Sequence, residues 1–548
     1  MRAPLPSRTC RVVVSMAAWA LIVAGPVASA PATRAARSAA PRGAEVIAAA
    51  QLRDYLSFIA SNELEGRDTP SRGLDTAARF LATELARFGL EPAGDEGFFQ
   101  RMTMTRRRID PAGSKVVLKD RTFAFGDEFI ASVAGSATAP LVYVGQGYVV
   151  KAKGIDAYKG VDVTGRILIA GAGMPEGVSR GDLRGEPGEA WQSPTTYAAS
   201  HGALGVVLIP DFQTLSGWNR ARQAAIDRGS VAVDKLASAR AAAVPVVTAS
   251  PALLSALFEG EKLRAAEAFE RAQSRKGGDA FELNKDKLLT LTVAANNETL
   301  STQNVVAVWR GSDPKLKDEF VAVGAHYDHV GVSATGADRI FNGADDDGSG
   351  TTALLAMAEA LARGQVKTKR SVLFVWHAGE ERGLLGSRFF TQFPTVPIDR
   401  IVAQLNIDMI GRSRAAGDSG AANATLTGPN EIYVIGSKMM STELGELSER
   451  VNKGYLDLAF NYTYDNPDDP NRFFFRSDHY NYARKGIPII FYFSGVHEDY
   501  HRVSDEVSKI DFAKMEKVTR TVYATMLALA DAPTRPKVDK SLPAQLTN

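Results

Sequence analysis

Thiols are all but missing from this chain. One of its 548 residues is cysteine, Cys10, and it stands ahead of the first apolar run. If that start is removed, no disulfide can staple the fold, and any metal must be held by imidazole and carboxylate. A surplus of one charge is missing too: 64 Lys and Arg face 62 Asp and Glu, a formal net charge of +2. That balance argues against nucleic acid as a partner, which would demand a clustered basic excess. Histidine is scarce, with seven in all, so where these seven fall carries information.

The first apolar run is Val12–Gly25, which is short for a membrane span. Arg2, Arg8 and Arg11 precede it, and small residues follow, with Ala28-Ser29-Ala30 and Ala30-Pro31-Ala32 as candidate cleavage sites. Pro31 disfavours the first, so residues 1–32 read as a secretory signal peptide. The expected location is periplasmic or secreted, with no stable membrane span after cleavage; the alternative is an uncleaved anchor. Cleavage removes three arginines and no acid, taking the net charge from +2 to −1.

Hydrophobic residues make up 45% of the chain and charged ones 23%, as expected of a soluble globular protein too long for one core. Residues 33–43 read as a flexible lead-in. Residues 44–114 carry helical spacing (Leu74, Ala77, Phe80, Leu81, Leu85 and Phe88 on one side), broken by the polar turn Asn62–Arg67. From 115 to 290 the texture changes to short β-rich runs: Leu141–Tyr148, Arg166–Ile169, Val206–Ile209 and Val244–Thr248. Helical stretches are expected at Tyr197–His201, Asp234–Ala243 and Glu261–Gln273. From 291 to 532 strands and helices alternate. Strands are expected at Val305–Trp309, Phe320–Ala325, Ser371–Trp376, Ile401–Ile407, Ile432–Ile435 and Ile489–Phe493. The helices are Thr351–Arg363, Leu384–Gln392, Glu443–Lys453 and Phe512–Leu529. This pattern predicts an α/β fold, a mixed and largely parallel central sheet with helices on both faces. Residues 533–548 read as a loose tail.

Active sites of open α/β sheets gather at the carboxyl ends of strands. There the sequence places His326, the cluster Asp345-Asp346-Asp347, Glu380-Glu381, Asp408 and, one loop further, His501. Two histidines with several carboxylates suit a pair of metal ions bridged by a carboxylate. An EF-hand fails, because Ala356 stands where the bidentate glutamate belongs. Gly417-Asp418-Ser419-Gly420 lacks the His and Asp framework of a serine protease.

Five segments occur in order: His326-Tyr327-Asp328, Gly343–Gly350, Gly379-Glu380-Glu381-Arg382-Gly383, Asn406-Ile407-Asp408-Met409 and Asp499-Tyr500-His501. Together they resemble the co-catalytic zinc aminopeptidase family, which also contains glutamate carboxypeptidases and glutaminyl cyclases. Asn62–Arg67 and Gly89–Gly94 resemble its opening segment. The resemblance implies a zinc exopeptidase fold and two zinc ions. Asp346 would bridge them, His326 and Asp408 would complete one shell, and Glu381 and His501 the other. Glu380 would be the general base acting on a zinc-bridging water. Asp328 would stand behind His326, with Tyr500 a candidate oxyanion donor and Asp478 bordering the substrate pocket. His329, His377 and His497 have no slot in the pattern and are expected in structural or supporting roles.

Within residues 115–290, Asp162–Ile169, Ala198–Leu208 and Val244–Val247 resemble an inserted protease-associated (PA) domain. The implied activity is aminopeptidase action on peptides. A carboxypeptidase or dipeptidase stays open, since Arg412, Arg472 and Arg476 could meet a substrate carboxylate. A non-catalytic receptor-like relative would have lost ligands, and none of the six key positions is lost.

Overall fold

Uninterrupted runs of Val, Ala, Leu, Phe and Ile build the middle of the larger sheet. Its strands are β1 (Phe99–Ile109), β2 (Ser230–Val233), β3 (Ala295–Trp309), β4 (Phe320–His326), β5 (Ser371–His377), β6 (Ile401–Ile407), β7 (Glu431–Ile435), β8 (Ala459–Asn461) and β9 (Ile489–Phe493). They lie in the order β2-β1-β3-β5-β4-β6-β9-β7-β8, with the short Glu91–Pro92 added against β3. The computed structural model describes residues 39–183, 188, 190–237 and 244–542. The signal-peptide reading (1–32), most of the lead-in, the end of the helix expected at 234–243 and the last tail residues lie outside them.

The four central strands β5, β4, β6 and β9 run parallel. Their flanks β3 and β7 are antiparallel to them, so the sheet is mixed and its parallel part is the middle. Every residue of the four is buried, which explains why they lack polar alternation. Successive side chains still part to opposite faces. Val321, Val323 and Ala325 join one core, while Phe320 and Ala322 join the other. The first core also takes in α1 (Ala49–Ile59), α2 (Arg72–Arg87), α3 (Gly350–Arg363) and α5 (Phe512–Asp531). The second is covered by α4 (Leu385–Gln392) and the short helix His479–Ala483.

The outer strands are longer than expected. β3 starts at Ala295 and pairs with β1 from Ala295↔Ile109 to Val305↔Phe99. Apart from Met102, Met104 and Ile109 this ribbon is largely polar and half-buried, and so it does not stand out as apolar sequence.

A second, nine-stranded sheet occupies residues 115–293, with Gly135–Tyr143, Ile167–Gly171, Gly205–Ile209 and Val246–Ala249 parallel at its centre. It has its own cores on either side, Leu141, Ile169 and Val207 facing one way and Val142, Leu168 and Val206 the other. Among the described residues of this stretch β2 alone leaves to extend the larger sheet, pairing antiparallel with Met104–Arg107 of β1. Where a loose tail is expected, residues 533–542 are tied to the body. The Asp539 carboxylate accepts a hydrogen bond from the Thr442 amide at 3.0 Å, and Arg535 pairs with Glu319 at 2.7 Å.

Candidate metal centre

The carboxyl ends of the four parallel strands converge. His326 closes β4, Glu380 and Glu381 lie in the turn after β5, Asp408 follows β6 directly, and His501 comes one loop beyond β9. Asp346 arrives from the turn Ala344–Ser349 that leads into α3, where its backbone (φ −99°, ψ 101°) departs from helical geometry. Gly343 makes this turn possible. Its φ is +57°, and a Cβ there would fall 2.6 Å from the His329 ring and 2.3 Å from the Asp346 carbonyl oxygen.

Asp346 sits between two imidazoles. Its Oδ1 is 3.3 Å from His326 Nε2 and its Oδ2 is 3.1 Å from His501 Nε2. His326 Nε2 is also 3.7 Å from Asp408, and His501 Nε2 is 3.0 Å from Glu381. A further residue joins them: His329, fully buried, brings Nδ1 to 2.9 Å from Glu381 Oε1. Sequence reasoning put His329 near the ligands in a supporting role, and the H-x-x-H spacing from His326 is the one trace of it. Two groups, His326/Asp346/Asp408 and His329/Asp346/Glu381, each offer donor atoms all within 4.8 Å of one another.

These side chains fit a metal. His326 Nε2, both ring nitrogens of His329, Asp346 Oδ2, Glu381 Oε1 and His501 Nε2 are buried with no hydrogen-bond partner of acceptable geometry. Leaving so many polar atoms unpaired would be costly unless they converge on a cation. Ligands held ~2.0–2.1 Å from a tetrahedral centre lie about 3.3 Å apart, which is the spacing seen here. Without thiols, imidazole and carboxylate donors suit zinc.

The charges follow from burial and neighbours. Burial works against an ionised Asp346, yet the close imidazoles of His326 and His501 hold its carboxyl well below the usual range. Burial likewise opposes charge on His501, and Asp346 and Glu381 overcome it, lifting the imidazole to about 10. Glu380 goes the other way. Burial and the nearby Glu381, Asp408 and Asp478 carboxylates push it well above the normal value, against the pull of His326.

Neighbouring residues fix this geometry. The nearest acceptor for His326 Nδ1 is the main-chain oxygen of Asp328 at 3.1 Å, with the Asp328 carboxylate at 3.6 Å. That carboxylate instead accepts from Thr69 Oγ1 at 3.0 Å and from the Glu380 amide at 3.1 Å, tying the β5 turn to β4. Asp347 and Asp345 turn away. Asp347 accepts from the Gly350 and Met409 amides at 2.9 and 3.1 Å, and Asp345 from the Gly411 amide at 2.6 Å. Arg67, wholly buried, donates to the carbonyls of Tyr327, Ile59, Asn342 and Gly343, binding both ends of the 327–343 loop. Asp478 is buried against His377 at 3.3 Å, behind the site rather than on the pocket wall. His497 lies 3.3 Å from Asp345.

A cavity opens on the cluster. Asp346, Glu380 and Asp408 line its floor, and Met409, Phe473, Phe491, Phe493, Val496, Tyr500 and Arg476 its walls.

The model of peptidase family M28 matches residues 304–526, the span that supplies every candidate metal ligand named above. This segment belongs to peptidase family M28. Leucine aminopeptidase 2 of Trichophyton rubrum is 26% identical over 277 residues, 46% of this chain and 50% of that protein. Aminopeptidase Y of Saccharomyces cerevisiae is 28% identical over 265 residues, 46% of this chain and 43% of the relative. The chain thus spans about half the length of the relatives it matches. Among solved structures, an aminopeptidase from Aneurinibacillus sp. strain AM-1 superposes with a TM-score of 0.52 at 18% identity, covering 91% of this chain and 97% of that one. That likeness concerns the fold. Among the described residues no helix is long and apolar enough to cross a membrane.

Proposed function

We propose that the M28 segment makes this chain a zinc-dependent aminopeptidase, holding two zinc ions and releasing N-terminal residues from peptides. The observation that carries the reading is Asp346, a donor common to two clusters with an imidazole on either side at 3.3 and 3.1 Å. His326, Asp346 and Asp408 would hold one ion. Asp346, Glu381 and His501 would hold the other, with His329 against Glu381.

When bound, such ions polarise a carbonyl and bring the pKa of a coordinated water toward ~7. Glu380 is the proton carrier. Its place in the cavity beside Asp346 and Asp408 suits it to accept a proton next to the scissile bond and to pass it to the leaving amine, a role worth typically ~10²–10⁴-fold. The Asp328 carboxylate holds the Glu380 amide and so fixes the turn from which this carboxylate works. Tyr500 stands in the cavity wall, where its hydroxyl would steady charge growing on the carbonyl oxygen. Phe473, Phe491 and Phe493 in the wall would meet the substrate's first side chain.

Three readings of the remaining chain belong to the same proposal. Residues 44–114 and 291–532 form the catalytic part, residues 115–290 are a PA-like insertion that narrows access to it, and the protein is exported. Two sheets with their own cores support the division, with β2 the part of 115–290 that joins the larger sheet.

The test is hydrolysis of aminoacyl reporters and peptides with free or acetylated N-termini, before and after chelation. Free termini are expected to be cleaved, with activity lost on chelation and regained with zinc. Cleavage of acetylated substrates alone would end the aminopeptidase reading, and chelator-insensitive cleavage would end the metal one.

A further inference from the structure

Three arginines come near the site, and the structure separates them. Arg412 is committed to Asp499 at 2.9 Å and lies against His497. Arg472 covers the Phe475 ring at 4.3 Å, off the cavity wall. Arg476 is the one that lines the cavity. Its guanidinium rests over the Phe473 ring at 5.0 Å and donates one hydrogen bond, to the Tyr500 hydroxyl at 3.3 Å. Among the described residues no carboxylate pairs with it. A guanidinium has five donors in a planar fork shaped for a carboxylate, and here an exposed fork lies against two aromatic rings at the cavity's edge.

Building on the aminopeptidase reading, we infer that Arg476 binds a carboxylate of the substrate in the cavity it shares with Asp346, Glu380 and Asp408. Sharing one cavity with Glu380 and Asp346 suits Arg476 to a group close to the scissile bond. The Tyr500 side chain connects Arg476 to the cluster: its ring stacks on His501 at 4.0 Å while its hydroxyl meets Arg476. One residue of extended chain spans ~3.3–3.6 Å. Two carboxylates fall within such a reach: the C-terminus of a dipeptide and the side chain of an acidic first residue. A longer peptide with a neutral first residue carries its carboxylate past Arg476. The preferred substrates are therefore short or acidic peptides.

The experiment compares substrates that differ in the carboxylate alone, using the full-length zinc-loaded protein. One pair is Leu-Leu and Leu-Leu-amide, the other Glu-Leu-amide and Gln-Leu-amide. A charge-assisted fork predicts a kcat/KM ratio of about tenfold within at least one pair. That ratio falls to near one in Arg476→Gln and lies between in Arg476→Lys, with the change carried by KM. An effect in the first pair identifies the C-terminal carboxylate, and an effect in the second the acidic side chain. Ratios near one in the wild type overturn the inference. So does an equal fall on all four substrates in Arg476→Gln, which would mean that Arg476 acts through Tyr500. No turnover of any of the four overturns the aminopeptidase reading and the inference with it, whereas equal turnover of all four overturns the inference alone.

Discussion

The His329 imidazole meets the Glu381 carboxylate at 2.9 Å, although the two residues come from loops after different strands. His329 lies three residues past β4 and is held there by its own amide, which donates to the Arg67 carbonyl at 3.1 Å. His501 reaches the same carboxylate from the other side at 3.0 Å. Glu381 therefore has an imidazole on each flank, as Asp346 does.

If His329 supports the second metal position, replacing it by Gln should lower zinc affinity there by ~10–100-fold, the usual cost of losing a residue that orients or supplements a ligand. Chelator competition on the purified variant reads this directly, and the melting point of the metal-free protein separates it from general destabilisation. An unchanged zinc affinity would assign His329 to packing alone.

Glu380→Gln tests the proton carrier. The amide keeps the shape and cannot take a proton, so zinc content should match the wild type while turnover drops by ~10²–10⁴-fold. Loss of zinc in this variant would instead make Glu380 a ligand, and full activity would move the base elsewhere.

His326, Glu380, Glu381 and Asp408 are readable in sequence because each follows an apolar run whose end is plain. A strand buried on both faces admits little polarity until it leaves the sheet. His501 is separated from β9 by a loop and is found through the Asp499-Tyr500-His501 pattern. His329 shows no such sign. Its ring reaches Glu381 only once the 327–343 loop has closed, and loops carry no periodicity. Arg67 is hidden for a related reason: three of its four acceptors, Tyr327, Asn342 and Gly343, lie 260 to 276 residues further along. The β1–β3 ribbon escapes for a third, since Arg106, Arg107 and Arg108 can occupy a half-buried strand by reaching to Glu298, Asn297 and the Asp227 carbonyl.

Arg67→Met removes donors from four buried carbonyls at once. Each stranded acceptor costs ~1–3 kcal/mol, and although such costs do not simply add, a loss of at least about 3 kcal/mol is expected by urea unfolding of the metal-free protein. Arg67→Lys should recover little of it, because an ammonium has three donors and no planar fork. Zinc affinity should fall together with stability, since the Gly343 and Tyr327 carbonyls that Arg67 holds flank Asp346 and His326. A variant as stable as the wild type would show that these carbonyls find other donors.

His479 gives the fold an acid-labile point away from the metal. It is fully buried, stacked on Phe491 at 4.5 Å with Phe474 edge-on at 5.4 Å. Burial pushes its pKa down to about 3, and the Phe474 backbone and the Asp478 carboxylate offset this only in part. Unfolded, the imidazole titrates near 6.5. A depressed folded value means that the unfolded state binds the extra proton, so the stabilisation is complete above pH ~6.5 and is lost as pH falls from there toward 3. Each unit in that window costs ~1.4 kcal/mol. Between pH 6.5 and 4.5 the metal-free wild type should thus lose about 2.7 kcal/mol more than His479→Phe, which keeps the aromatic packing and cannot protonate. Denaturant unfolding of both proteins at the two pH values gives the difference. Parallel losses in the two proteins would mean that His479 already shares its charge with water.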